Sequence, residues 1–546
     1  MSPPSRDPPP WLPPLAHALG EALPRLHGSA TEPLVEEVIH ALLIALEAGE
    51  VQLPLAGPPP PPVSPRHWPE GHRRALLGSP LAADPDGPLV LLDDRLLWRR
   101  WHERRTAVLD ILLQRAERIE PPPAGAEASC PDPAAVDPRL DGRQCAAVAA
   151  ALRHGLVLLE GGPGTGKTST VAAILTAERQ WRPQARLHLA APTGKAAARL
   201  KAATGDRWPC STLHRLLESR GGHFARHRRR PLGLDLLVVD EVSMVDLELM
   251  EALLESLPLS CRLVLVGDPA QLPPVSPGAV VPELHRPELR ARLGCAAVTL
   301  ATPYRNAGLI AAVAAELRTA IEAAPETGGD DLEARIAACL EGAPAGANLQ
   351  RLTAPPRCPP PLVRSRLERH RRALAAAARR CVSDPEAWRE VLRERDRLLV
   401  LSPLRRGPWG VDAVHRLLLG QAMEAPLSRW PAGTPVLCLR NLPDLGLANG
   451  DVGVLLGSAD PDGAAVLFGD AAAAAPLRIH PAQLSGAVEP AFALTVHKAQ
   501  GSEADEVIVL LPEAGGSDPR LLYTALTRAR RQALLFVPPD PSPAAP

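Results

Sequence analysis

The feature that most constrains this chain is the glycine-rich stretch GGPGTGKT at residues 161–168. An apolar run at 156–159 precedes it, and a helix-compatible run at 168–175 follows it. A strand, a glycine-rich turn and a helix N-terminus together present backbone N–H groups to phosphates, so we predict a phosphate-binding loop. Lys167 is expected to reach the β- and γ-phosphates of ATP, and the Thr168 hydroxyl to hold Mg²⁺. The residues expected to bind the nucleotide in this loop are Gly161, Gly162, Pro163, Gly164, Thr165, Gly166, Lys167 and Thr168.

The scarcity of lysine supports this prediction. The 546 residues include 60 lysines and arginines, and only four of these are lysines. They are Lys167, Lys195, Lys201 and Lys498. Because the chain uses arginine almost everywhere, a retained lysine indicates a task that suits a compact charge, such as contact with a phosphate.

Composition excludes several classes of protein. The net charge is −1, so any contact with DNA must be local. The nine cysteines form no C-x-x-C pair and do not cluster with histidine, so neither zinc nor an iron–sulfur cluster is expected. Scattered cysteines, the lack of a signal pattern and the lack of a membrane-length apolar run predict a reduced, cytoplasmic protein with no membrane contact.

Two further strand ends carry nucleotide chemistry. The apolar run 236–239 ends in Asp240, expected to join the Mg²⁺ shell, and Glu241, expected to polarise the attacking water. Another apolar run, 263–266, leads to Gln271, which could sense the γ-phosphate. Strands that alternate with helices and carry chemistry at their C-terminal ends predict an α/β fold with doubly wound parallel sheets.

A glutamine precedes the loop, and two arginines follow it at a distance. Gln144 opens a predicted helix at 144–152 and could read adenine through its amide. The only two tyrosines precede candidate arginine fingers, Tyr304 before Arg305 and Tyr523 before Arg528. An arginine that reaches the γ-phosphate from another domain couples hydrolysis to domain closure.

The regions outside these motifs carry weaker sequence signals. The spacing of apolar residues predicts a mainly helical region at 1–115, with a long helix at 96–118. This region is either an accessory domain or a docking surface for a partner. A Pro-rich linker follows at 116–138. A basic hairpin is predicted at about 217–233 and is either a solvated turn or a DNA contact. The Arg-rich run 362–397 is predicted to be the solvated face of a helix. Short strands with turn residues at 435–484 predict a small β-barrel insertion.

Eight motifs, in this order, resemble those of superfamily 1 DNA helicases, and specifically the RecD family, the alpha subunits of exodeoxyribonuclease V. The match runs from about residue 139 to 536. The motifs are GGPGTGKT, LAAPTGKAAARL, STLHRLL, LVVDEVSMVD, LVGDPAQLPPV, YRNAG, TVHKAQGSE and YTALTRAR.

The resemblance implies 5′-to-3′ movement along single-stranded DNA, driven by ATP and Mg²⁺, in double-strand break repair and recombination. It implies two RecA-like domains, 139–300 and 301–546, the second with an SH3-like insertion at about 430–488. RecB- and RecC-like subunits would be the partners, bound by residues 1–115. Gly501 and Glu503 would help close the nucleotide site. The residues that would contact DNA are Pro192, Thr193, His214, Thr495 and His497.

Two other classes remain open. A different P-loop ATPase, such as a clamp loader or a kinase-like enzyme, would not need the last two motifs and would hydrolyse ATP without DNA. A scaffold subunit would bind ATP without hydrolysing it, which an intact Glu241, Arg305 and Arg528 argue against. No nuclease site is expected, because the residue two positions before each lysine is not acidic, so the D…(D/E)-x-K pattern is missing.

Overall fold

The computed structural model describes residues 18–19, 22–23, 25–27, 32–47, 49–119, 130–220, 223–302, 308–322, 329–341, 346–457, 464–471, 475–512 and 518–539. Within these ranges the chain forms a small N-terminal sheet, two parallel sheets flanked by helices, and an antiparallel sheet inserted in the second half. No helix in the described ranges is long and apolar enough to cross a membrane.

The N-terminal region combines helices with a three-stranded antiparallel sheet in the order β1-β3-β2. The strands are β1 (Gln52–Pro54), β2 (Leu89–Leu92) and β3 (Arg95–Trp98), and the helices are Pro33–Glu47, Glu70–Gly78, Pro80–Ala83 and Arg99–Glu117. The prediction of one helix over 96–118 is wrong at its start, because β3 precedes the helix. Leu96 and Leu97 are buried in the pairing of β3 with its neighbours, and this packing outweighs the local helical pattern.

The first parallel sheet has six strands in the order β11-β4-β10-β9-β5-β6. Consecutive neighbours pair in parallel, with helices as the connections, which confirms the predicted doubly wound α/β architecture. The strands are β4 (Leu156–Gly161), β5 (Leu187–Ala191), β6 (Cys210–Thr212), β9 (Leu236–Val239), β10 (Arg262–Gly267) and β11 (Ala297–Leu300). The helices are Pro133–Val136, Gly142–Arg153, Lys167–Trp181, Gly194–Ala203, Leu213–Leu216, Leu247–Ser256 and Pro287–Leu293.

A short hairpin, β7 (Ser219–Arg220) with β8 (His223–Phe224), branches from this sheet after β6. In the segment around it, Arg226 and Arg230 share Glu218, and Arg228 lies 3.6 Å from Glu255. Both interpretations of this segment, the solvated turn and the DNA contact, stay predictions.

The second parallel sheet has five strands in the order β12-β21-β20-β13-β19. Its strands are β12 (Leu349–Thr353), β13 (Leu398–Ser402), β19 (Ala493–Thr495), β20 (Ala504–Leu510) and β21 (Ala529–Val537). Its helices are Leu309–Glu322, Gly329–Leu340, Pro361–Ser383, Trp388–Arg395, Val411–Leu419 and Pro519–Leu526. Between β13 and β19 lies an antiparallel sheet in the order β17-β16-β15-β14-β18. It is built from β14 (Pro435–Cys438), β15 (Val452–Leu455), β16 (Val466–Phe468), β17 (Leu477–Ile479) and β18 (Val488–Pro490). The SH3-like assignment of this insertion stays a prediction.

The helix Arg99–Glu117 packs against the first parallel sheet and its helices. Leu112 and Leu113 are buried in the same apolar cluster as β4 and the helix Leu247–Ser256. Arg115, only 1% exposed, donates hydrogen bonds to the carbonyls of Cys261 at 2.8 Å and Leu257 at 2.7 Å. The predicted limits of the domains are not tested by these contacts, but a deletion meant to spare the motor should end before Arg99.

We therefore expect Leu112→Ala to lower the free energy of unfolding by about 2–5 kcal/mol, because it leaves a cavity in this cluster. Asp110→Ala, on the exposed side of the same helix, should change it by less than about 0.5 kcal/mol. Urea denaturation of both variants measures the difference. Equal stabilities would show that the helix is not part of the core.

Candidate active site between the two parallel sheets

The candidate site is a cleft of about 350 Å³ at the C-terminal ends of the first sheet's strands, closed on one side by the second sheet. This volume is within the range of small-molecule sites. Most of the residues predicted to handle ATP meet here. The lining residues that were predicted are Gln144, Pro163, Gly164, Thr165, Gly166, Lys167, Thr168, Asp240, Glu241, Gln271, Gly501, Glu503 and Arg528.

The loop itself is held by its own hydrogen bonds. Gly164 and Gly166 have φ angles of +76° and +85°, a left-handed conformation that glycine adopts without strain. The Lys167 ammonium donates to the carbonyls of Gly161 at 2.5 Å and Gly162 at 3.0 Å, and the Thr165 hydroxyl donates to Gly162 at 2.9 Å. The lysine therefore lies at the mouth of the loop, within reach of an incoming phosphate.

Two carboxylates face the loop from the end of β9. Burial, followed by the neighbouring Glu241 charge, raises the pKa of Asp240 to about 6. The backbone N–H of Glu241 donates to Asp240 Oδ1 at 2.9 Å. Glu241 itself has φ +51°, a strained conformation for a residue with a side chain, and such strain is concentrated at functional sites.

The chemistry of this donor set suits Mg²⁺. A hydroxyl from Thr168 and a carboxylate from Asp240 are both hard oxygen ligands, and both line the cleft. Mg²⁺ in nucleotide sites needs only one or two protein carboxylates, because phosphates and waters complete its shell. A buried acid with a raised pKa also gains from a nearby cation, since a positive charge restores its ionised form.

Gln271 is oriented by an aspartate that the sequence did not single out. Asp268, fully buried at the end of β10, accepts hydrogen bonds from the Tyr523 hydroxyl at 2.8 Å and the Gln271 amide at 3.4 Å. The Gln271 Oε1 atom is buried and has no hydrogen-bond partner within the described part of the chain. Gln271 therefore lines the cleft and holds a buried acceptor that the described neighbours do not satisfy.

The second sheet contributes charges to the cleft. Glu503 forms ion pairs with Arg199 of the first sheet's helix Gly194–Ala203 and, at 3.3 Å, with Arg530 of β21. Arg528 also lines the cleft, and its Nε donates to the Thr524 carbonyl at 3.0 Å. Glu503 therefore connects the two halves of the molecule beside the loop.

Gln144 lies at the cleft but is already bonded. Its Oε1 accepts from the Asp141 N–H at 3.0 Å while the Asp141 carboxylate accepts from the Gln144 N–H at 2.8 Å, which is a helix capping box. Its amide nitrogen faces the Thr165 carbonyl at 3.5 Å. In this arrangement Gln144 braces the loop, and its contact with adenine stays a prediction.

Three charged lining residues were missed from the sequence: Arg199, Asp137 and Arg139. Arg199 follows the PTGK motif on a helix, where its charge could not be told from a solvated face. Asp137 and Arg139 pair with each other at 2.9 Å across the predicted boundary between the linker and the first RecA-like domain. The side-chain hydrogen bond from Arg139 lowers the pKa of Asp137 to about 2.

None of the residues predicted to contact DNA is among the described lining residues of the cleft. Thr193 caps the helix Gly194–Ala203 by accepting from the Ala196 N–H at 3.2 Å, just after Pro192 at the end of β5. Thr495, on the neighbouring domain's β19, accepts from the Lys498 N–H at 3.3 Å. Burial lowers the pKa of His214 and of His497, so both imidazoles favour the neutral form. Their DNA contacts stay predictions.

Arg305 and Lys195 are not among the described residues that line the cleft. Arg305 falls outside the described residues. Lys195, one of the four lysines whose retention indicates a phosphate contact, borders a small cavity with Arg395 and Asp396 of the second half, and burial lowers its pKa to about 8. Its contact with a phosphate stays a prediction.

Fold and site together define a P-loop ATPase whose nucleotide cleft is shared between two parallel sheets, the arrangement of a mechanical motor. Sequence comparisons agree: a family described as AAA domain matches residues 144–277, and one described as UvrD-like helicase C-terminal domain matches 490–536. RecBCD enzyme subunit RecD of Mycolicibacterium smegmatis is 37% identical over 547 residues, covering 93% of this chain and 90% of that one. The chain therefore belongs to the RecD family.

Two more distant relatives extend the comparison. RecBCD enzyme subunit RecD of Haemophilus influenzae is 29% identical, covering 72% of this chain and 68% of that one. The ATP-dependent RecD2 DNA helicase of Deinococcus radiodurans is 32% identical, covering 69% of this chain and 46% of that one. The family resemblance read from the motifs is confirmed.

The position of Glu503 generates a prediction. Glu503→Gln should raise the apparent KM for ATP by about 3- to 30-fold, because it removes a charge pair that joins the two halves of the site. Glu506→Gln is the matched control, since Glu506 pairs with Arg366 at 3.1 Å within the second half alone. Steady-state ATP titrations measure both variants. A larger effect in the control would contradict the bridging role.

Proposed function

We propose that this chain is the ATP-dependent, 5′-to-3′ DNA helicase and translocase subunit of an exodeoxyribonuclease V complex. It works with RecB- and RecC-like subunits in the cytoplasm, in double-strand break repair and recombination. The observation that carries the proposal is the shared cleft, in which Lys167, Asp240 and Glu241 of one sheet face Arg528 of the other. The names of the relatives, RecBCD subunits and an ATP-dependent DNA helicase, support it.

The roles follow from the positions of the side chains. Lys167 leaves the loop carbonyls to bind the β- and γ-phosphates, and Glu241 orients and polarises the attacking water. Thr168 and Asp240 would hold Mg²⁺, which neutralises charge on the phosphates. Gln271, which lines the cleft, would sense the γ-phosphate. Arg528, which lies on the opposite domain, stabilises charge that develops on the phosphate only when the cleft closes.

Closure of the cleft is the step that would move DNA. Thr193 lies on the first domain and Thr495 on the second, so a change in the distance between domains changes the spacing between two DNA contacts. Gly501, in the left-handed region at φ +74°, packs beside Thr193 at the seam between them. Hydroxyl and backbone contacts of this kind hold the sugar–phosphate chain and carry little base information.

The competing functions predict different behaviour. A clamp-loader-like or kinase-like ATPase would turn over ATP without DNA, and an ATP-binding scaffold would not turn it over at all. The presence of both carboxylates and of Arg528 in one cleft favours a hydrolytic motor over the scaffold. Any DNA cleavage by the complex is assigned to a partner, because the D…(D/E)-x-K pattern is missing from the sequence.

The first test is Lys167→Ala, which should abolish DNA-stimulated ATP hydrolysis, because the phosphates lose their only loop cation. The circular dichroism spectrum should be unchanged, since Lys167 is partly exposed. Lys201→Ala is the control, a surface lysine that pairs with Asp206 at 2.9 Å away from the cleft lining. Undiminished turnover in the folded Lys167→Ala variant would disprove the assignment of the site.

The second test concerns direction. The purified chain should unwind a duplex that carries a 5′ single-stranded tail and leave one with only a 3′ tail intact, because the resemblance implies 5′-to-3′ movement. A strand-displacement assay with both substrates and a blunt control measures this. The opposite preference would exclude the RecD-like direction while leaving helicase activity in place.

A further inference from the structure

Arg318 lies against the phosphate-binding loop from the second half of the molecule. It sits on the helix Leu309–Glu322, and no sequence motif identified it. A Cβ atom built on Gly162 would lie 3.0 Å from Arg318 Nη1 and 3.2 Å from the Tyr523 hydroxyl. Both side chains therefore lie close to the Cα atom of Gly162, and any larger residue at this position would have to displace them.

The same guanidinium faces the buried Asp268. Its Nη2 atom lies 3.9 Å from Asp268 Oδ1, too far for a hydrogen bond, and has no other partner among the described residues. Its Nε donates to Glu322 at 2.9 Å, a pair within its own helix. A buried guanidinium N–H without an acceptor is costly, so the arrangement is poised to tighten when the loop or Asp268 shifts.

Asp268 connects this contact to the chemistry. It receives the Tyr523 hydroxyl and the Gln271 amide on Oδ2, so it holds Gln271 on one side and faces Arg318 on the other. Gly162, in turn, provides the carbonyl that Lys167 and Thr165 bind. Arg318 is therefore connected to the loop through Gly162. It is connected to Gln271, the residue expected at the γ-phosphate, through Asp268.

We propose that Arg318 is a positioning residue for ATP hydrolysis, which holds the Gly162 backbone and the Asp268–Gln271 pair in register as the two domains close. The inference rests on the proposed function and extends it. Arg318 does not line the cleft formed by the described residues, so it acts through its neighbours and not on the nucleotide. Arginine suits the task because its planar group can address two partners at once, whereas lysine offers a single point charge.

The test compares wild type, Arg318→Gln, Arg318→Lys and a matched control. Arg364→Gln is the control, because Arg364 also pairs with a glutamate four residues on, Glu368 at 3.1 Å, but is 59% exposed on another helix. Steady-state ATPase at saturating single-stranded DNA gives kcat and KM, and thermal melting reports stability. Arg318→Gln should lower kcat by about 10- to 100-fold with KM changed less than about 3-fold, as expected for misplaced groups. The control should keep the wild-type kcat.

The lysine variant separates positioning from simple stabilisation. Arg318→Lys should recover the melting temperature while kcat stays low, and Arg318→Gln combined with Gln271→Ala should lose no more activity than Gln271→Ala alone. The inference would be overturned if Arg318→Lys recovered the wild-type kcat or if Arg318→Gln changed only KM. It would also be overturned if the activity losses of Arg318→Gln and Gln271→Ala were fully additive in the double variant. An active wild type with an unaffected Arg318→Gln variant would overturn this inference and spare the proposed function. A wild type without DNA-stimulated turnover would overturn both.

Discussion

The burial of charge between two sheets is the constraint on which the rest of the structure depends. Asp240, Glu241 and Asp268 follow neighbouring strands of the first sheet, where Asp268 is fully buried and the other two are partly exposed in the cleft. Buried carboxylates are stable only when cations or donors face them. Both halves supply these groups: the charges of Lys167 and Arg199 oppose the rise in the pKa of Asp240, while Tyr523 of the second half donates to Asp268 and Arg528 enters the cleft. The site is therefore complete only when both sheets are in place.

This constraint explains the choice between arginine and lysine. Arginine carries the contacts between elements, as when Arg395 pairs with Asp396 at 2.8 Å and also donates to the Val452 carbonyl at 2.7 Å. One planar group thereby joins the second sheet to its antiparallel insertion. The lysines have more varied environments than their scarcity predicted. Lys167 serves the loop, while Lys498 forms an ion pair with Glu489 at 2.7 Å.

The N-terminal region and the motor share a core. Its last helix packs on the first parallel sheet, and Gly49 accepts a hydrogen bond from Gly278 at 3.3 Å, in the segment that follows Gln271. A partner bound to this region would therefore meet a surface that is continuous with the ATPase core. The N-terminal region is therefore packed directly against the motor.

The sequence by itself determined the phosphate loop, the paired acids after β9 and the alternation of strands and helices, because these features are local: a turn needs its glycines and a buried strand needs its apolar run. Local pattern could not reveal that residues 95–98 pair as a strand, since that depends on partners at 52–54 and 89–92. Nor could it place Arg199 beside Glu503 or Arg318 against Gly162, which lie far apart along the chain. Only the tertiary structure decided those contacts, because the local sequence around an arginine does not show whether another part of the chain will cover its side chain.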